Sequence, residues 1–128
     1  YFEANNLDPV TSLDDLLEES YSDMLVVQNP ATSSPGLAFL LLTINNYGED
    51  GYLDYWRGLN ENGMLVVNDW ETTYYTEFTT YGGTRPIIVS YGSSPPFEVL
   101  FAEEPIDEPT TAAVFGKNTC FRQIEFVG

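Results

Sequence analysis

Three short apolar runs, at residues 24–27, 64–67 and 87–91, are separated by stretches long enough to hold helices, and this spacing most constrains the fold. Parallel strands need a crossover of a dozen or more residues between them, usually a helix. The first gap carries helical spacing twice, and the second carries an aromatic-rich helical segment. Strands that alternate with helices predict an α/β domain with a mainly parallel central sheet flanked by helices.

Residues 1–11 read as an extended lead-in. Ser12 caps a short helix reaching about Ser20, with Asp15 three positions on, as in a capping box. After the first strand, Asn29-Pro30 turns the chain. Ser34 then caps a second helix that ends at Gly48, with an apolar run at 37–44 expected to be buried nearly all round. A third helix over 51–60 places Leu53, Trp56 and Leu59 on one face. Gly63 turns into the second strand, and Trp70 opens a fourth helix to about Phe78. Residues 79–84 read as a loop. The third strand, apolar and β-branched, is expected to be buried. Ser94 caps a short helix, and 111–115 and 121–126 read as two more strands. The termini look cut rather than natural, so the 128 residues read as one unit excerpted from a longer chain.

The charge balance excludes several functions. Four basic residues stand against 20 acidic ones, a net charge of −16 with no His. A field of that sign repels phosphate backbones, which argues against nucleic acid and against an anionic membrane surface. Without His and with one Cys, a His-based triad, a Cys-His zinc site and an internal disulfide are excluded. No cofactor or metal site is expected. Cys120 reads as a small buried hydrophobe. The acidity suits a soluble secreted protein or, more sharply, a salt-adapted one.

Three segments could bind a ligand. Thr32-Ser33-Ser34-Pro35-Gly36 gathers hydroxyls and free N–H groups where a helix starts just past a strand. Such a place suits an anion or a polar group, though a plain helix cap has the same sequence. Gly36 would leave room for close approach. Trp70 and Tyr74, four apart, share a helix face and could stack on a planar ring or a cation, or could be a core stripe. Residues 90–95 again place hydroxyls at a strand end, with Tyr91 at the tip. In an open parallel sheet such strand ends share one edge, where ligands bind.

Taken together, these segments resemble the periplasmic thiamine-binding proteins. Residues 26–37 look like that family's "DPRTSTPGL" segment, with Asn29 where the family has Asp. Asn68-Asp69-Trp70-Glu71 through Tyr74 looks like "GWSEAY", and residues 89–95 look like "LSYTTSP". Residues 119–126 are similar to the segment leading back out of the lobe. The resemblance implies the second lobe of a type II periplasmic-binding-protein fold, serving an ABC importer. It implies thiamine or thiamine phosphate as cargo and a missing first lobe and an ABC permease as partners. It also implies an extracellular or periplasmic location, with a membrane anchor in the full-length protein. On the matching positions, the ligand would be met by Thr32, Ser33, Ser34, Gly36, Trp70, Tyr74 and Tyr91. A binding module without chemistry is the leading expectation. The rivals are a ferric-ion or polyamine cargo, suggested by Tyr74-Tyr75 and the acidity, and a thiaminase-like enzyme, for which Cys120 occupies no matching position.

Overall fold

The computed structural model describes residues 1–124. Its centre is a three-stranded sheet in the order β2-β1-β3, with β1 at Leu25–Gln28, β2 at Leu65–Val67 and β3 at Ile87–Ile88. Both pairings are parallel: Val26 lies opposite Leu65 on one side and opposite Ile88 on the other. The expected α/β architecture is therefore present. β1 is buried along its whole length, because helices and aromatic side chains cover both of its faces. Leu25 and Val27 pack with Leu13, Leu16, Phe39, Leu42, Tyr55 and Leu59 into the main core.

The crossover from β1 to β2 is α1, Ser34–Glu61. Gly48 breaks it into two arms, with φ 73° and ψ 173°, so the expected boundary between two helices is found at the expected glycine. Three local expectations fail here. Ser33, not Ser34, is the N-cap residue. The apolar run of the first arm is one-sided: Phe39 and Leu42 are buried, while Leu37 and Leu41 are 45% and 40% exposed. In the second arm the buried pair is Tyr55 and Leu59, and Leu53 faces solvent. A sheet of three strands is too narrow to cover a helix all round, so each arm buries only a stripe.

Ser12 and Asp15 bond reciprocally, as expected of a capping box: each receives a hydrogen bond through its side chain from the other's backbone N–H. The chain beyond this box forms two 3₁₀ turns, Asp14–Leu17 and Glu19–Tyr21, rather than the expected α-helix. Residues 1–11 are not wholly extended either, since Glu3–Asn5 forms another 3₁₀ turn. After β2, α2 spans Trp70–Thr72, capped by the Asp69 carboxylate, which accepts from the Thr72 N–H at 2.7 Å. It widens into a π-helical turn, Thr73–Glu77, closed by the Phe78 N–H to the Thr73 carbonyl at 3.1 Å. Residues 79–81 then form a 3₁₀ turn inside the expected loop. β3 is shorter than expected and half-buried, because it forms an edge of the sheet. α3, Ser94–Leu100, starts at the N-cap Ser93. Residues 111–115 are irregular rather than a strand, and so are 121–124; the remainder of that second expected strand, 125–126, lies outside the described residues. Cys120 is exposed, not buried, because it sits in this irregular segment.

Candidate functional site

The three strands are parallel, so their carboxyl ends share one edge, and each predicted segment begins there. Hydrogen bonds knit the loops together. The Asn29 N–H donates to the Val67 carbonyl at 2.7 Å, and the Thr32 hydroxyl donates to the Asn68 carbonyl at 2.6 Å. The indole N–H of Trp70 donates to Ser90 Oγ at 2.9 Å, and Ser90 Oγ is 2.9 Å from Ser94 Oγ. The loop after β1 is thus tied to the loop after β2, and Trp70 is tied to the start of α3.

Trp70 is the centre of an aromatic cluster. Tyr74 stacks on it with ring centroids 4.7 Å apart and planes 24° from parallel. Tyr75 meets it edge-on at 5.8 Å, and Tyr91 is tilted at 6.0 Å. Tyr81 closes the cluster from the side, 5.2 Å from Tyr74 and 5.1 Å from Tyr75. Trp70 is half-buried and Tyr91 is exposed, so both present ring surface to solvent. Because the indole N–H is already bonded to Ser90, what Trp70 offers a ligand is its π-surface, which favours planar rings and cations.

Tyr74 is 4% exposed, and its hydroxyl donates to Glu98 Oε1 at 3.0 Å. Burial, followed by the Glu98 hydrogen bond, pushes this phenol well above the usual tyrosine range. Tyr74 is therefore a neutral underlayer to Trp70. Gly36 is buried as well. A Cβ there would lie 2.2 Å from the Gln28 carbonyl oxygen, so the close approach it permits is that of β1 to α1. Ser33 makes no side-chain capping bond, and Ser34 is exposed at the first position of α1. The structure thus brings Thr32, Trp70 and Tyr91 to one edge, with Ser33 and Ser34 following Thr32, and sets Tyr74 and Gly36 beneath.

Sequence reasoning missed several members. Gln28 is fully buried at the end of β1, and its amide donates to Thr73 Oγ1 at 2.8 Å and to the Val89 carbonyl at 2.9 Å. It joins the aromatic turn to the exit of β3. A lone amide ending an apolar strand was the signal available for it. Tyr81 and Glu98 carried no local signal, since both reach the cluster through tertiary contacts. Elsewhere, a hollow of about 310 Å³ lies on the second arm of α1 between Leu53, Trp56, Arg57, Asn60 and Glu61, away from the strand ends.

An aromatic platform and a helix start at the carboxyl ends of parallel strands define a class, the α/β ligand-binding domains. Within that class the chain belongs to the bacterial extracellular solute-binding protein family, whose profile matches residues 3–95. It is 30% identical over 100 residues to the thiamine-binding periplasmic protein of Escherichia coli, covering 77% of this chain and 29% of that protein. It is 32% identical over 92 residues to the thiamine-binding periplasmic protein of Brucella abortus, covering 72% of this chain and 26% of that one. A solved periplasmic thiamin binding protein superposes with a TM-score of 0.63 at 29% identity, covering 78% of this chain and 30% of the other. The chain therefore spans less than a third of the length of each of these relatives, and its α/β fold matches a periplasmic-binding-protein lobe.

Proposed function

We propose that this chain is part of the substrate-binding component of an ABC importer and forms one side of a cleft that holds thiamine or a thiamine phosphate. The observation that carries the reading is the Trp70–Tyr74–Tyr91 cluster at the ends of three parallel strands, in a member of a solute-binding family. The cationic thiazolium ring would lie against Trp70 and Tyr91. Its alcohol or phosphate would face Ser33 and Ser34, where the first N–H groups and the dipole of α1 favour oxygen and negative charge. In this reading a second lobe supplies the opposite wall, a permease receives the cargo, and the protein works outside the cytoplasm. The related proteins' names support thiamine over other cargoes.

The ferric-ion alternative is weakened by Tyr74, whose oxygen is already bonded to Glu98 beneath the stack. The enzymatic alternative gains no support from Cys120: among the described residues the contacts of its sulfur are Thr119 Oγ1 and the Val114 carbonyl, both at 3.8 Å. Calorimetry and tryptophan quenching with thiamine, thiamine phosphates, spermidine and ferric citrate test the reading. One stacked face and one helix start overcome little of the freedom lost on binding, so residues 1–128 alone should bind thiamine with a Kd on the order of millimolar. Trp70→Ala should abolish that signal while the chain stays folded. Tighter binding of spermidine or iron than of thiamine, or thiamine binding unchanged in Trp70→Ala, overturns it.

A further inference from the structure

We propose that Glu98 is a specificity-determining residue of the aromatic face, making it prefer a cation over a neutral molecule of similar size; the inference deepens the cargo reading above and rests on the same face. Glu98 lies behind the cluster on α3, and five donors converge on its carboxylate. Oε1 accepts from the Tyr74 hydroxyl at 3.0 Å and from the Thr111 hydroxyl. Oε2 accepts from the Thr110 N–H at 3.0 Å, the Thr110 hydroxyl at 3.1 Å and the Thr111 N–H at 3.2 Å. A carboxylate is acceptor-only, and donors on both of its oxygens hold this one in a single orientation. The charge is therefore fixed in place rather than carried on a free side chain.

Its position gives it two effects on the platform. A phenol that donates to a carboxylate is polarised, which enriches the Tyr74 ring stacked on Trp70. A cation on the Trp70 face also feels the carboxylate across the stacked pair of rings, partly through protein rather than water. A neutral molecule gains stacking from the same rings and nothing from the charge. The other acidic side chains add a diffuse field that salt screens.

The test reads Trp70 in a Trp56→Phe background, where it is the sole tryptophan. Its fluorescence is quenched with cationic 1-methylnicotinamide and with neutral nicotinamide, a planar ring of nearly the same size, in 0.15 M salt. Glu98→Gln should lower the ratio of cationic to neutral quenching constants about twofold, and Tyr74→Phe, which keeps the charge but cuts the phenol bond, by less. Glu61→Gln makes the same change in net charge at the far end of α1, next to the start of β2 and so at the opposite edge of the sheet; it should leave the ratio unchanged. If Trp56→Phe does not fold, 5-fluorotryptophan in the otherwise unaltered chain reads Trp70 by ¹⁹F NMR. Equal loss with both quenchers in Glu98→Gln makes the residue merely structural and overturns the proposal, as does an equal drop in Glu61→Gln. A ratio that falls in Glu98→Gln while thiamine leaves Trp70 unperturbed supports the role of Glu98 and sinks the cargo reading alone.

Discussion

Asp15 is held by four donors, the N–H and hydroxyl groups of Thr11 and Ser12. The Ser12 hydroxyl has the largest effect, and together they lower the carboxyl from 3.8 to about 2. A group whose folded-state pKa lies below its unfolded value stabilises the fold at pH above the unfolded value. That contribution disappears as the pH falls from about 4 towards 2. Ser12→Ala should therefore cost roughly 1 kcal/mol at neutral pH and flatten the acid limb over that window, measured as urea midpoints from pH 5 to 2. An acid limb as steep as in the parent would refute it. Gly36 makes a second residue-scale case. Its missing Cβ would strike backbone, which cannot swing away, so Gly36→Ala should destabilise by about 1–3 kcal/mol in the same assay. Gly51→Ala, whose Cβ would meet Tyr47 Cβ at an ordinary 3.4 Å in a helix, should be neutral or slightly stabilising. The Ser12–Asp15 pair was legible because the contact is three residues long. The reason for Gly36 was not, because the atom it accommodates belongs to a strand that only the fold brings near.

At the scale of elements, α1 shows what a glycine can specify. Gly48 has backbone angles that are essentially restricted to glycine, yet a Cβ there would meet nothing within 4 Å. Gly48→Ala should therefore cost about 1–3 kcal/mol through backbone strain alone. The paired Tyr47 and Tyr55 rings, stacked at 4.3 Å across the break, should lose their near-ultraviolet circular dichroism as the two arms realign. A variant as stable as the parent, with that signal intact, would show that the break is not needed. The break could be read in sequence because glycine is a local signal. The π turn could not be read. Its extra residue per turn is favoured by what the turn packs against, with Thr73 fully buried and bonded to Gln28 and Tyr74 lying under Trp70. The expected strand at 111–115 failed for a related reason. Its apolar β-branched composition suits a strand, but Thr110 and Thr111 instead give their N–H groups to Glu98, and Val114 and Phe115 stay exposed. Propensity was outweighed by a carboxylate on another element.

The whole molecule carries its net charge of −16 on a small surface, and its acids have few cationic partners. Among the described residues the ion pairs are Arg57–Asp54, largely exposed, and Arg85–Asp23 at 3.8 Å. The first pair is exposed on both sides and the second joins a mostly buried Arg85 to an exposed Asp23 at the outer limit of ion-pair distance, so neither offsets sixteen excess charges, and self-repulsion is the electrostatic term that matters at neutral pH. Adding salt should therefore raise Tm. The dose at which it does so identifies the cause. Screening of repulsion acts while the Debye length shrinks from about 30 Å at 0.01 M to about 8 Å at 0.15 M, and it levels off beyond that. Strengthened apolar burial by excluded salts grows steadily into the molar range. A chain stabilised by screening should gain most of its Tm below about 0.3 M sodium chloride, with chloride and sulfate alike once compared at equal ionic strength. Acidification gives an independent check with the opposite outcome at its two ends. Neutralising surface carboxylates between about pH 6 and 4 should stabilise the low-salt protein by relieving repulsion. Below about pH 4 the loss of the Asp15 contribution should reverse the trend. Thermal melts on a grid of salt and pH would expose both limbs. A Tm that is flat or falls up to about 0.3 M salt at pH 7 would mean that the acidic surface is already accommodated by hydration, and the low-salt rise on acidification would then be absent as well.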